Sequence, residues 1–133
     1  MKLNTKTRYG LRAMIEIAES DQKGLFQKDI VEKQHIPMKY LDTIITGLRT
    51  SGLIMNFKGK RSGYILSRPA TEITVYDIYC SFEPELAIVE CLCKPNQCEL
   101  KSECKARPFW NEVNNTLIST FKQKKLSDFL ENS

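Results

Sequence analysis

Residues 26–69, FQKDIVEKQHIPMKYLDTIITGLRTSGLIMNFKGKRSGYILSRP, carry the clearest pattern of secondary structure in the chain. The first part of this stretch predicts two helices, over 26–34 and 37–51, with a short turn between them. In the second helix the apolar residues repeat the i, i+3, i+4, i+7 spacing of one buried face: Leu41, Ile44, Ile45 and Leu48. Two such helices joined by a turn of a few residues are typical of a helix-turn-helix unit.

The rest of this stretch changes from a helical to a strand pattern. Two runs of β-forming residues, 53–57 and 64–66, flank the basic loop KGKRSG at 58–63. Glycine and serine between such runs predict a β-hairpin. A helix-turn-helix followed by a hairpin is the arrangement of a winged helix, so the predicted fold is mainly α with a small β-hairpin wing.

Amphipathic helices extend the pattern on both sides. One is predicted over 5–20 before the helix-turn-helix, and a long C-terminal helix is predicted to open at Pro108. We therefore divide the chain into a winged helix-turn-helix DNA-binding region, 1–69, and a cysteine-containing loop with a dimerisation helix, 70–133. No linker or repeat separates them, which indicates one continuous fold.

The charge of the chain is unevenly distributed. Residues 1–69 carry 13 Lys and Arg against 6 Asp and Glu, a net charge of +7, whereas residues 70–133 carry 7 against 10, a net charge of −3. A basic half favours a polyanionic partner such as double-stranded DNA. Clustered lysines that only interact with water are the alternative interpretation.

The helix-turn-helix carries residue types that bind DNA. The second helix of such a unit enters the major groove, with its N-terminal residues nearest the bases. Lys39 and Tyr40 are predicted to reach phosphates, as is Lys28 near the start of the preceding helix. Asp42 and Thr43 are predicted to contact base edges, because a carboxylate accepts a hydrogen bond from cytosine.

The wing adds three cations within four residues, Lys58, Lys60 and Arg61. The minor groove has the most negative potential where it is narrow, and it attracts such side chains. We therefore predict that the wing contacts DNA as well.

Four of the five cysteines fall between positions 91 and 104. Thiolates bind soft metals and iron–sulfur clusters, and Cys91-x6-Cys98-x5-Cys104 offers three ligands, with Cys93 as an alternative first ligand. No CxxC pair is present, which argues against a zinc ribbon. Free thiols and a reversible disulfide stay open as alternatives.

The last long helix has a wide aromatic stripe, for which dimerisation is the predicted use: Trp110, Val113, Leu117 and Phe121. A two-fold dimer would bind a palindromic operator.

Several other classes of protein are excluded by the pattern of residues. No apolar run approaches the roughly 20 residues of a membrane span, and the first amphipathic stretch contains Glu16 and Glu19, unlike a signal peptide. We therefore expect a cytoplasmic protein with no membrane partner. The single histidine, His35, is far along the chain from the cysteines, so no catalytic constellation is evident and we expect no enzyme.

Several stretches of the chain together match the motifs of one known family: MKLNTKTRYG at 1–10, YLD at 40–42, LRTSGLI at 48–54, KGKRSGYIL at 58–66, RP at 68–69, EIT at 72–74 and CKARPFW at 104–110. With these motifs the chain resembles the Rrf2 family of winged-helix regulators over nearly its whole length. The resemblance implies a homodimeric repressor, whose cluster-binding members hold a 2Fe–2S or 4Fe–4S cluster on three cysteines, here Cys91, Cys98 and Cys104. It also adds Arg8 and Tyr9 to the DNA-contacting set.

The resemblance leaves the fourth cluster ligand open. Some members supply a histidine three residues after the last cysteine, where this chain has Arg107, and others an aspartate near the N-terminus, where it has Arg8. A cluster-free regulator that responds by thiol oxidation or to a protein partner is therefore the alternative. A metal-binding adaptor protein is a third interpretation.

Overall fold

The computed structural model describes residues 3–20, 24–59, 62–89, 92 and 103–130. It is mainly helical with one antiparallel hairpin, which confirms the predicted fold class. None of the described helices is long and apolar enough to cross a membrane. The elements are α1 (Thr5–Glu19), α2 (Gln27–Gln34), α3 (Met38–Thr50), β1 (Ile54–Asn56), β2 (Tyr64–Leu66), a 3-10 turn (Ala70–Glu72), α4 (Val75–Cys80), α5 (Arg107–Gln123) and a second 3-10 turn (Leu126–Phe129).

The ends of α2 and α3 follow from the backbone preferences of three residues. His35 adopts a left-handed conformation, with φ of 54°, and this ends α2. Pro37 was predicted at the first helical position but has an extended ψ of 135°, so α3 begins at the next residue, Met38. Gly52 has a φ of 80° just past α3, which is the left-handed position that favours glycine.

The wing is a short hairpin of β1 and β2, and the segment before α2 pairs with β2. A single antiparallel bridge pairs Leu25 with Tyr64, with both N–H···O distances at 2.9 Å. The backbones of Gly24 and Gly63 approach so closely there that a Cβ on Gly63 would lie 2.5 Å from the Gly24 carbonyl carbon. The hairpin register is Ile54↔Leu66, Met55↔Ile65 and Asn56↔Tyr64.

The main core lies inside the winged helix but takes residues from both sides of position 69. Ile73, Ile78 and Leu126 are fully buried in the same cluster as the apolar faces of α1 and α3. A second, smaller cluster forms where α4 meets α5, from Tyr79, Leu86 and Phe121. The second half of the chain therefore packs directly on the first.

Candidate nucleic-acid interface

The outward face of α3 brings together three of the predicted DNA-contacting residues. Lys39, Asp42 and Thr43 are exposed side by side on the first turns of the helix. Their orientation is set by the opposite face, whose four apolar side chains are completely or almost completely buried. Thr46 and Arg49 continue the exposed face and were missed, although they lie on the polar side of the buried stripe.

Gln27 connects α3, α2 and the wing, and the sequence did not single it out. Its side-chain N–H donates to Oδ1 of Asp42 at 2.6 Å. Its Oε1 accepts a hydrogen bond from the hydroxyl of Tyr64, at 3.3 Å. Lys28, the next residue, is exposed on α2, and its contact with a phosphate stays a prediction. These bonds hold Asp42 and the base of the wing in a defined relation to α2.

Tyr9 and Tyr40 are placed between helices rather than on an open surface. Their rings are half-buried and meet edge to face, with centroids 5.2 Å apart. The Arg12 guanidinium lies 5.1 Å from the centre of the Tyr9 ring and donates through Nε to the Gln34 side chain at 3.0 Å. These contacts hold α1 against α2 and α3. Arg8 is exposed, and DNA contact by these residues stays a prediction.

The wing loop is closed by hydrogen bonds of Ser62. Its hydroxyl accepts from the backbone N–H of Lys58 at 2.7 Å and donates to the Gly59 carbonyl at 2.8 Å. The side chain of Lys58 is exposed. Lys60 and Arg61, the other two predicted cations of the wing, lie outside the described residues.

The predicted dimerisation stripe of α5 is divided between two environments. Trp110 and Val113 are 36% and 37% exposed and line an open apolar groove, together with Phe109, which is 55% exposed. Leu117 is half-buried. Phe121 is only 9% exposed and packs in the second cluster within its own chain.

Only one of the four candidate cluster ligands is among the described residues. Cys104 is a half-buried free thiol, and its carbonyl accepts from the N–H of Arg107, the first residue of α5, at 3.3 Å. Cys91, Cys93 and Cys98 lie outside the described residues. Across the part of the chain that the structure describes, no three metal-ligating side chains come together. Cysteine thiolates are ligands that suit iron or a cluster, so the residue type of Cys104 fits such a group.

Two tyrosines of α4 have perturbed acidities. Burial, reinforced by electrostatic interactions with Glu83 and Cys80, raises the pKa of Tyr79. Burial raises the pKa of Tyr76 as well, followed in size by the effect of the neighbouring Cys80 thiol. Both phenols are therefore neutral at physiological pH, and Tyr79 uses its O–H to donate to the Glu85 carbonyl at 3.1 Å.

A helix-turn-helix with an exposed polar recognition face and an adjoining hairpin defines a winged-helix DNA-binding transcriptional regulator. Residues 3–132 match the family described as Rrf2, iron-dependent transcriptional regulator. The chain therefore belongs to the Rrf2 family. Members of this family are transcriptional regulators and not enzymes, which confirms the expectation that the chain has no catalytic activity.

Known proteins similar to this chain match it over nearly its whole length. Protein rrf2 of Nitratidesulfovibrio vulgaris is 32% identical over 134 residues, which span 100% of this chain and 89% of that protein. The structure of CymR, the global cysteine regulator of B. subtilis, has a TM-score of 0.81 at 25% identity and covers 100% of this chain and 98% of its own. The T. potens IscR structure has a TM-score of 0.74 at 28% identity and covers 99% and 88%.

Proposed function

We propose that the protein is a homodimeric transcriptional repressor that acts in the cytoplasm on a palindromic operator in double-stranded DNA. The observation that carries this proposal is the exposed face of α3, where Lys39, Asp42 and Thr43 stand above a fully packed apolar face. Because its opposite face is packed against the core, α3 presents these side chains outward, where they can contact base edges in the major groove. The net charge of +7 on residues 1–69 attracts the phosphate backbone.

The proposed docking follows the geometry of winged-helix proteins. The start of α3 enters the major groove, where Asp42 accepts from cytosine and Thr43 contacts a neighbouring base. Lys39 binds a phosphate, and Lys58 brings the wing to the backbone or minor groove. The hydrogen bond from Gln27 to Asp42 limits the rotamers of that carboxylate before DNA binds.

Dimerisation through α5 is supported by its exposed apolar face. Phe109, Trp110 and Val113 form a contiguous patch at the N-terminal half of the helix. Large exposed apolar patches mark interaction surfaces, and an isologous contact would pair each patch with its counterpart in a second copy. The two copies of α3 would then face two half-sites.

The sensing function is proposed for the cysteine segment, with Cys91, Cys98 and Cys104 as the ligands of a 2Fe–2S or 4Fe–4S cluster and Cys93 as the alternative first ligand. A bound cluster would supply a redox-sensitive group whose gain, loss or oxidation changes the conformation of the segment. Cys104 lies three residues before α5, and a change there acts directly on the proposed dimer helix. The family description as iron-dependent regulators is in keeping with this assignment.

A cluster-free regulator is the second candidate function. Two observations favour it: Arg107 and Arg8 occupy the positions where a fourth cluster ligand would be expected, and a cysteine regulator is among the similar structures. In this case the same thiols would respond by oxidation to a disulfide or through a protein partner.

Binding to a two-fold operator is tested by fluorescence anisotropy with duplexes selected in vitro for affinity to this protein. We expect the selected sequences to be palindromic, and the full site to bind at least about tenfold more tightly than an isolated half-site. Equal affinity for both would show that the protein binds as a monomer. No bound duplex at moderate salt would remove the proposal and favour the metal-binding adaptor.

The cluster is tested by anaerobic purification, followed by an absorption spectrum and assays of iron and sulfide. Brown protein with near-stoichiometric iron and sulfide would support the cluster sensor. Colourless protein that stays free of iron after anaerobic reconstitution would support the thiol-based regulator. Cys98→Ala should abolish either response while the protein remains folded, and an unaltered response would rule out sensing through this cysteine.

A further inference from the structure

One aromatic ring is inserted between the first helix and the recognition helix. Phe82 lies two residues after the end of α4 and packs against the main core. A Cβ built on Gly10 of α1 would lie 2.6 Å from Cε2 of this ring, and a Cβ built on Gly47 of α3 would lie 2.6 Å from Cε1. The ring thus fills a slot whose two walls are glycines.

These glycines are costly for the helices that contain them. A glycine in a helix interior is less favourable than alanine by roughly 0.5–1 kcal/mol. Neither Gly10 nor Gly47 has a positive φ, so the backbone does not require glycine at either position. The close approach of the Phe82 ring is the physical reason that a side chain is excluded at both positions.

The residues after Phe82 are attached to the other parts of the molecule. Glu83 accepts a hydrogen bond from the side chain of Asn4, which also caps α1 by accepting from the N–H of Lys6 at 2.7 Å. Further along, Asn114 of α5 donates to the Leu86 carbonyl at 3.0 Å and accepts from the N–H of Ile88 at 2.9 Å. Asn114 is buried, and its bond to the Leu86 carbonyl is buried with it.

Residues 82–88 therefore form a coupling segment that touches α1 and α3 at one end and α5 at the other. The segment leads along the chain into the candidate cluster ligands, the first of which is Cys91. A movement of the cysteines would displace the end of the segment at residue 88. The other end is Phe82, whose ring lies beside α3.

We propose that Phe82 is the positioning residue through which the state of the cysteines changes the placement of the recognition helix. This inference rests on the proposed sensing function. Displacement of the ring would open the slot between Gly10 and Gly47, and α3 would shift relative to α1. Because packed cores occupy discrete arrangements rather than deforming continuously, a small shift of this kind suffices to change operator affinity.

The test compares operator affinity of the full chain in two states, thiol-reduced and diamide-oxidised, or cluster-loaded and iron-free if the protein binds iron. We expect wild-type affinities to differ by about tenfold, a usual size for allosteric coupling. Phe82→Leu should reduce that ratio to below about twofold while thermal unfolding stays cooperative. Phe129→Leu makes the same replacement at another half-buried aromatic residue, outside the slot. It serves as the matched control and should keep the wild-type ratio.

The outcomes separate this inference from the function on which it rests. A wild-type ratio near one in both pairs of states would remove the sensing function, and this inference with it. A normal wild-type ratio that Phe82→Leu leaves intact would overturn the inference alone. If Phe82→Leu lowers the unfolding temperature but not the ratio, the ring has only a structural role.

A second measurement tests the contact without reference to the cysteines. Gly47→Ala should lower the unfolding temperature in the wild-type background, because the new methyl group meets the ring. In a Phe82→Ala background the same substitution should be neutral or stabilising, since the slot is then empty and alanine is the better helix former. Additive effects of the two substitutions would show that ring and glycine do not interact.

Discussion

Helices α3 and α5 differ in how much of their apolar face is buried within the chain. In α3, Leu41, Ile44 and Leu48 are completely buried by α1, α2 and the hairpin. In α5, Asn114 and Phe121 are the only buried residues, and Phe109 is more than half exposed. The apolar face of α3 is therefore buried within the chain, whereas that of α5 is buried only in part.

The difference supports the proposal that the exposed side of α3 faces DNA and that of α5 faces a second copy of the chain. The exposed side of α3 is polar, so its side chains can form hydrogen bonds with water or with the phosphates and base edges of DNA. The exposed side of α5 is apolar toward its N-terminus, and removal of apolar area from water favours association with a second copy. We therefore expect that substitutions in α3 and α5 separate folding, dimerisation and DNA binding.

The largest effect is expected in the core of α3. Ile44→Ala should lower the free energy of unfolding by about 2–5 kcal/mol, because it leaves a cavity where packing is complete. Urea denaturation followed by circular dichroism measures this loss. Thr43→Ala, at the exposed neighbouring position, is the control and should change stability by less than about 0.5 kcal/mol.

The next effect is expected at the uncovered face of α5. Trp110→Ala should raise the dimer dissociation constant by about 30-fold, or about 2 kcal/mol, which is typical of an aromatic residue at the centre of an interface. Sedimentation equilibrium measures the constant. Asn115→Ala, exposed on a different part of the helix, should leave it unchanged. Equal effects of the two would contradict dimerisation through this face.

A smaller effect is expected at the polar face of α3. Lys39→Ala should weaken binding to all duplexes by a similar factor and reduce the slope of log affinity against log salt by about 1, since one phosphate contact is lost. Anisotropy titrations over a salt series measure the slope. Lys122→Ala, on α5, should keep the wild-type slope; a reduction of equal size there would point to a different DNA-binding surface.

The smallest effect is expected between α4 and the coupling segment. Tyr79→Phe removes the hydrogen bond to the Glu85 carbonyl and should cost about 1 kcal/mol at neutral pH. Because the pKa of Tyr79 is raised in the folded protein, its neutral form is favoured there, and stability falls as pH rises through that pKa.

Unfolding measured from pH 8 to 11 tests the sign of this pH dependence. Wild type should lose more stability above pH 10 than Tyr79→Phe, so that the two curves converge. Parallel curves would show that Tyr79 titrates alike in the folded and unfolded states.

Much of the winged helix could be predicted from local pattern. The i, i+3, i+4, i+7 stripe of α3 and the glycine after its end are set by helix geometry and backbone preference, and both are present in the structure. The polar face of α3 follows from the same periodicity, so the exposure of Thr46 and Arg49 could also have been predicted from the sequence.

Other parts of the candidate site depend on contacts between distant segments. Periodicity places Phe121 and Trp110 in one stripe, but Tyr79 and Leu86 pack against Phe121 only, and Trp110 stays exposed. The pairing of Tyr9 with Tyr40, and the bonds of Gln27 to Asp42 and Tyr64, likewise join residues that are 15 or more positions apart. No local pattern records such pairings.

Local pattern is enough to predict the helix-turn-helix and the hairpin, because each depends on the preferences of residues close together in the chain. The basic half and the cysteine spacing are properties of the sequence itself. Which face of α5 stays uncovered, and why Gly10 and Gly47 are glycines, depends on tertiary contacts. Both depend on where residues 82–88 pack, and that position is set by contacts with α1, α3 and α5 together.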